Sequence, residues 1–360
     1  MDRLDATFAL LDRFLDEGVP AAGLVVAEHG EIIGERYVGL ARPDRPADAD
    51  TLWPLASISK LYTAAAALSL IESGQIALAT RAATIFPEFT QDGRDKVTLR
   101  HLLTHTSGLP YESELMSDRL IAQLSLEEMV HEAYDCEMLF LPGTNQAYSD
   151  YGIGLAGLMC ARVAGVSFPE LVRSRVIDPA FLMDTYMPPP EEEYDRIALI
   201  QGPLAEGTDC AMYNSAYARD LAHPAFGTIS TARDLLRFAL HFDPNRAPTL
   251  FSRIGARTMI TDQTGYDFPD NVIEPMSPAV QAWGLGFMVK GRMGFPELAS
   301  PAAFGHPGAT GCMVLVDPEY DVAFAYVSNR HLNTGFDMWN DRLMKITNVV
   351  MAGMTRGHDH

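Results

Sequence analysis

The chain has 360 residues, 48% of them apolar and 21% charged, the composition of a globular protein with a substantial core; at this length one large two-part unit or two domains is expected. Its formal net charge is −20 at pH 7, with acidic residues spread along the chain rather than run together in a tail, and such a surface repels polyphosphate and argues against nucleic-acid binding. No segment reaches membrane-spanning length and the N-terminus has no uninterrupted apolar run, so a cytoplasmic protein with no membrane association is expected.

In chain order, Leu4, Phe8, Leu11, Phe14 and Leu15 recur at helical spacing and predict an opening amphipathic helix that ends near Gly18. Gly23 to Glu28 and Glu31 to Val38 then read as two strands joined at His29-Gly30. A polar, proline-bearing loop from Ala41 to Asp50 leads to Trp53-Pro54. The small-residue run from Tyr62 to Ile71, closed by Gly74, predicts a buried helix that begins near Ser57.

From about Ala79 to Pro224 the signals are mostly helical with long loops between them. Thr98 caps a helix over Leu99 to Leu103; Ser125 with Glu128, and Ser167 with Glu170, form capping boxes. Pro188-Pro-Pro-Glu-Glu-Glu193 reads as a solvated breaker, and Gln201 to Pro224 is too glycine-rich and polar for a regular element. That loop carries Met212, Tyr213 and His223, each able to wall a pocket or to serve as filler. Beyond Gly227, Thr231 with Asp234 caps a helix through Phe242. Trp283 to Val289, Gly311 to Val316 and Val322 to Val327 are strand candidates, the last two joined at Asp317 to Asp321, and a helix from Phe336 to Met351 closes the chain.

The expected fold is therefore α/β of the α+β type. Residues 1–78 and 225–360 supply an antiparallel sheet flanked by helices, and residues 79–224 a mostly helical insertion, with a cleft between the two. The four cysteines, Cys136, Cys160, Cys210 and Cys312, are widely spaced with no Cys-x-x-Cys, which favours free thiols over disulfides.

One short pattern carries chemistry. Ser57 and Lys60 are three residues apart at the start of the predicted buried helix, so both side chains share a face, about 5–6 Å apart at Cβ. A serine hydroxyl becomes a nucleophile when a neighbour takes its proton, and a lysine whose amine is driven towards neutrality by burial can do so. A helix N-terminus also favours a developing oxyanion. The chain has only four lysines, which makes a chance Ser-x-x-Lys less expected. Gly152-Ile-Gly-Leu-Ala-Gly157 fits Gly-x-Gly-x-x-Gly, but no strand precedes it, so its glycines are read as helix packing rather than a dinucleotide site.

Three further stretches follow Ser57-Ile-Ser-Lys60 in order: Leu102-Leu-Thr-His-Thr-Ser-Gly-Leu109, Tyr148-Ser-Asp150 and Gly305-His-Pro-Gly308. With Phe226 to Asp234 and Trp283 to Phe287 they span about residues 20 to 330. In this set the chain resembles the serine β-lactamase and DD-peptidase-like superfamily, on the branch that holds class C-type β-lactamases, family VIII-type carboxylesterases and D-stereospecific amidases and peptidases.

The resemblance implies a β-lactamase/transpeptidase-like fold and a serine hydrolase with no metal or organic cofactor. It implies Ser57 as the acylated nucleophile, Lys60 as the group sharing its proton, and Tyr148 as the relay to the leaving group and the deacylating water. The backbone N–H groups of Ser57 and Ala309 match the oxyanion hole. Asp150, His306 and Gly308 match positions around the pocket, and the turn after His105-Thr106 is read as structural. Two departures stand out. Asp150 replaces the usual asparagine, and a carboxylate there stabilises the Lys60 ammonium against a general-base role. His306 replaces the lysine of the Lys-Thr-Gly triplet, and a neutral histidine is no fixed cation for a substrate carboxylate. The expected substrate is a small acyl ester, with amidase or acyltransferase activity also open. The alternatives are a β-lactamase or D-amino-acid peptidase, and a catalytically idle binder of the same fold. The sequence sets no oligomeric state.

Overall fold

The structure, a computed structural model, describes residues 3–111, 122–202, 213–247, 250–264, 282–289, 297–332 and 342–355. Its main sheet has seven antiparallel strands. Strands β1 (Ala21–Glu28), β2 (Glu31–Arg42) and β3 (Arg45–Pro46) come from the start of the chain, and β7 (Met288–Val289), β8 (Phe304–Gly308), β9 (Cys312–Asp317) and β10 (Val322–Ser328) from its end, in the order β3-β2-β1-β10-β9-β8-β7. The short strands β4 (Trp53–Pro54), β5 (Thr185–Tyr186) and β6 (Ile229–Ser230) form a second sheet in the order β4-β6-β5.

The central strands are apolar at nearly every position, although an antiparallel sheet with one wet face would alternate. The reason is that both faces are covered. Along β1 the side chains alternate by the two-residue period of a strand: Ala22, Leu24 and Val26 enter one core, Ala21, Val25 and Ala27 the other. The first core is closed by helices α1 (Asp5–Asp16) and α6 (Arg342–Thr355), through Leu11, Phe14, Ile346 and Val350. The second is shared with α2 (Ser59–Glu72) and α5 (Ala232–Leu240), where Tyr62 stacks on Phe238 at 4.0 Å.

Local signals placed most elements. The β1–β2 turn is His29-Gly30, and both residues have positive φ (52° and 77°), as a two-residue hairpin turn of this twist requires. Helix α3 (Leu99–Leu103) has Thr98 at its cap, and Ser125 and Glu128 form a reciprocal capping box at Leu126–His131. Ser167 and Thr231 also cap their helices, but without the return bond: the Glu170 carboxylate accepts from Arg173, and that of Asp234 from the Asp184 amide and Arg237.

Several expectations need correction. Trp283 to Val289 is not one strand, because the Gly284 amide bonds to Phe287 O and Gly286 has φ 75°, so the chain turns back, Trp283 bridges to Met288, and Met288–Val289 joins β8. His306-Pro307-Gly308 lies in β8 and precedes β9, the strand expected from Gly311. Ser215 caps a short helix over Ala216–Leu221, inside a segment expected to be irregular. Met212, Cys210 and the beginning of the last predicted helix lie outside the described residues. Cys136, Cys160 and Cys312 are free thiols, the last two buried. No single helix among the described residues is long and apolar enough to cross a membrane.

Candidate active site

Ser57 sits in a 3-10 turn, Ala56–Ile58, that runs directly into α2. Ala56 has φ 47°, a left-handed conformation that costs a residue with a Cβ on the order of 1 kcal/mol. The surroundings hold it there: the Leu55 amide bonds to Thr228 O, and Ser59 Oγ accepts from the Thr228 amide at 2.8 Å. As the N–H of Ser57 belongs to the first turn, it has no acceptor within the helix.

Lys60, the second residue of α2 and one turn on from Ser57, is fully buried. Its Nζ lies 3.1 Å from Ser57 Oγ, 3.1 Å from Ala225 O and 2.6 Å from Asp150 Oδ1. Ser57 Oγ and Ala225 O accept hydrogen bonds from the amine and the Asp150 carboxylate forms an ion pair with it, surroundings that suit an ammonium. The opposition expected between burial and the Asp150 carboxylate is present here. Burial pushes it down, but the Asp150 carboxylate, with a smaller contribution from Tyr148, outweighs burial, and Lys60 is held above its ordinary range.

Tyr148 and Asp150 flank Ser149, the N-cap of α4 (Asp150–Ala164), so the Asp150 carboxylate is at the positive end of that helix. Two bonds to His105 pin the segment: the Ala147 amide donates to His105 O (2.9 Å) and the Ser149 amide to His105 Nδ1 (3.1 Å). The Tyr148 hydroxyl interacts with both Ser57 and Lys60, and Lys60 Nζ is 4.7 Å from its ring centre. Burial raises the phenol above its ordinary pKa, against the opposing pull of the Lys60 charge, so its resting form is protonated.

The glycines Gly154 and Gly157 of the Gly-x-Gly-x-x-Gly stretch lie on α4 and admit close neighbours. A Cβ at Gly154 would meet Val130 at 2.8 Å and one at Gly157 would meet Pro224 at 2.5 Å, so these glycines serve packing.

Strand β8 brings the His306 stretch against the Ser57 turn. A Cβ on Gly308 would stand 2.3 Å from Leu55 O, so only glycine permits this approach. Thr310 Oγ1 ties the following turn to Pro54 O at 2.7 Å, and Ala309 lies between these two contacts. His306 is buried and donates from Nδ1 to Pro307 O (2.6 Å), which leaves Nε2 as an acceptor with no partner among the described residues. Burial, reinforced by the nearby Lys60 charge, pushes its pKa down to about 3, so it is neutral at physiological pH.

The structure thus gathers Ser57, Lys60, Tyr148, Asp150, His306 and Gly308 from three separate stretches. It adds residues to which sequence reasoning gave a structural role, an open one or none. His105, itself at φ 58°, and Trp283 enclose the Tyr148 ring, at 4.5 and 5.8 Å between ring centres, and Tyr111 lies 5.9 Å away. His105 was available as part of the Leu102 to Leu109 stretch. Tyr111 had no signal at all. His223 is buried, and its Nδ1 accepts from the Ala225 amide, which fixes the carbonyl that Lys60 uses.

Compared with known proteins, residues 7–348 match the beta-lactamase family. The chain belongs to that family. It is 30% identical over 349 residues to esterase EstB of Burkholderia gladioli, covering 86% of this chain and 83% of that protein. Penicillin-binding protein 4 of Amycolatopsis lactamdurans is 26% identical, with 92% and 87% covered. Among solved structures, D-amino acid amidase from Ochrobactrum anthropi SV3 superposes with a TM-score of 0.78 at 22% identity over 98% of both chains. The chain is a serine hydrolase of the β-lactamase and penicillin-binding-protein type.

Proposed function

We propose that this serine hydrolase is a carboxylesterase acting on small acyl esters through an acyl-enzyme at Ser57. The observation that carries the reading is the contact set Ser57 Oγ, Lys60 Nζ and Tyr148, with Nζ 3.1 Å from Oγ. Ser57 attacks the ester carbonyl; the N–H groups of Ser57 and Ala309 receive the oxyanion; Tyr148 hands a proton to the departing alcohol and then draws one from the incoming water. Replacement of that water by an alcohol gives acyl transfer.

The preference for esters over carboxylate-bearing lactams rests on His306. A buried histidine that titrates near pH 3 offers no positive charge where a lysine would. The similarity to an esterase, EstB, supports the same reading. A competing reading, a non-catalytic binder, draws on the Lys60–Asp150 ion pair, which holds Lys60 charged.

Intact-mass measurement after incubation with a fluorophosphonate tests nucleophile and binder together: one adduct, mapped to Ser57, is expected, and its absence refutes the enzymatic reading. A panel of short-chain 4-nitrophenyl esters and a chromogenic cephalosporin tests the substrate class, and efficient cephalosporin turnover with esters untouched reverses it. Tyr148→Phe is expected to lower ester turnover by at least about a hundredfold, the usual scale of general acid–base help. Near-normal kcat would remove Tyr148 from the reaction.

A further inference from the structure

The resting site lacks an obvious base. Lys60 is paired as an ammonium, the Tyr148 phenol is protonated, and burial with the Lys60 charge holds His105 and His306 well below the ordinary histidine range, so the open Nε2 of His306 is a weak base. His105 Nδ1 is already occupied by the Ser149 amide. The only anion against Lys60 among the described residues is Asp150, 4% exposed and 2.6 Å from Nζ, the same amine that lies 3.1 Å from the nucleophile.

We propose that Asp150 is the terminal acceptor of the Ser57 proton, which reaches it through Lys60. This deepens the serine-hydrolase reading and rests on Ser57 as the nucleophile. As Oγ forms its bond to the acyl carbon, one Nζ proton passes to Asp150 Oδ1, the amino group turns about its Cε–Nζ bond to bring the freed lone pair to Oγ, and the Ser57 O–H proton passes to Nζ. Lys60 ends the step as an ammonium, the carboxylate becomes a carboxylic acid, and the carbonyl electron pair becomes the oxyanion. When the tetrahedral adduct collapses, the bond to the leaving oxygen breaks. The proton then returns from Asp150 to Lys60 and on through Tyr148 to the leaving alkoxide, so the site is restored. Nζ lies within reach of both Oγ and Oδ1, so rotation of the amino group about its Cε–Nζ bond is the one movement the relay needs. Asp150 acts through Lys60 and so is a positioning and proton-holding residue.

The charged and titratable groups around this relay are Lys60 on α2, Tyr148 and Asp150 at the start of α4, His105 after α3 and His306 on β8. The test is the rate of Ser57 labelling by a fluorophosphonate as a function of pH, in wild type and Asp150→Asn. With the carboxylate gone, Lys60 must lose its own proton before it can accept one. The acidic limb is expected to move to higher pH by at least about two units, and labelling at pH 6 to fall at least about tenfold. If neutral Lys60 were already the base in wild type, removal of the carboxylate that raises its pKa would move the limb down. A limb that moves down or stays in place overturns the proposal. For wild type alone, labelling in mixtures of light and heavy water should curve as two protons in flight require, and a linear dependence also overturns it. That measurement decides the matter if Asp150→Asn does not fold. Absence of any wild-type labelling would instead remove Ser57 as nucleophile, and this proposal with it.

Discussion

Ser57→Ala is expected to lower ester turnover by at least about four orders of magnitude while changing the free energy of unfolding by less than about 1 kcal/mol. The two effects separate because the Ser57 hydroxyl has little structural work. Its partners are Lys60 and Tyr148; when the hydroxyl is gone the amine keeps Asp150 and Ala225 O, and the phenol keeps Lys60. The turn depends on Ala56 and on backbone bonds from Leu55 and Thr228, none of which involves the Ser57 side chain. Residual activity above water is expected, since the backbone donors and the pocket survive. Steady-state kinetics on a 4-nitrophenyl ester and urea unfolding at pH 7 read the two quantities. Turnover within tenfold of wild type would exclude Ser57 as nucleophile. A large loss of stability would mean that the hydroxyl holds the turn.

Much of this arrangement could be read from residue patterns, and where it could not the cause is physical. Capping residues act within four positions, so Thr98, Ser125, Ser167 and Thr231 marked helix starts that the structure keeps. Strand runs such as Val322 to Val327 were legible because sheets covered on both faces need continuous apolar side chains. Trp283 to Val289 has the same apolar character, yet it turns back at Gly284 and Gly286. There the decisive fact is non-local: a Cβ on Gly284 would meet Met259 O at 1.9 Å, and one on Gly286 would meet Ala64 Cβ at 2.8 Å. Ser57 and Lys60 were visible as a local pair because a helix fixes their relation. The charge on Lys60 was not, since it depends on whether Asp150, ninety positions away, points at it. It does so at 2.6 Å. The packing of His105, Tyr111 and Trp283 around Tyr148 likewise joins distant stretches, and no local period encodes it.

Lys60→Met should be the most destabilising single change in the site, costing about 3–5 kcal/mol at pH 7, because it leaves a buried carboxylate without its countercharge. The double variant Lys60→Met/Asp150→Asn should recover most of that loss, since a neutral amide asks far less of its surroundings than an unpaired anion. The pH dependence has a definite sign. The Lys60 amine is held above its unfolded value, so its contribution is fully present below the ordinary lysine pKa of about 10.4 and is lost as pH rises through the folded-state value. The stability gap between wild type and Lys60→Met should therefore be level from neutral pH to about 10 and narrow only above that. Asp150→Asn reverses the slope. Burial then acts on the amine without a carboxylate to oppose it, the folded-state value drops below the unfolded one, and stability should climb as pH rises towards 10. Urea unfolding of the four proteins at pH 7, 9 and 11 measures both slopes. A gap that narrows between pH 7 and 9 would mean that Asp150 does not hold Lys60 charged, and the ion pair would then be no obstacle to Lys60 itself taking the Ser57 proton.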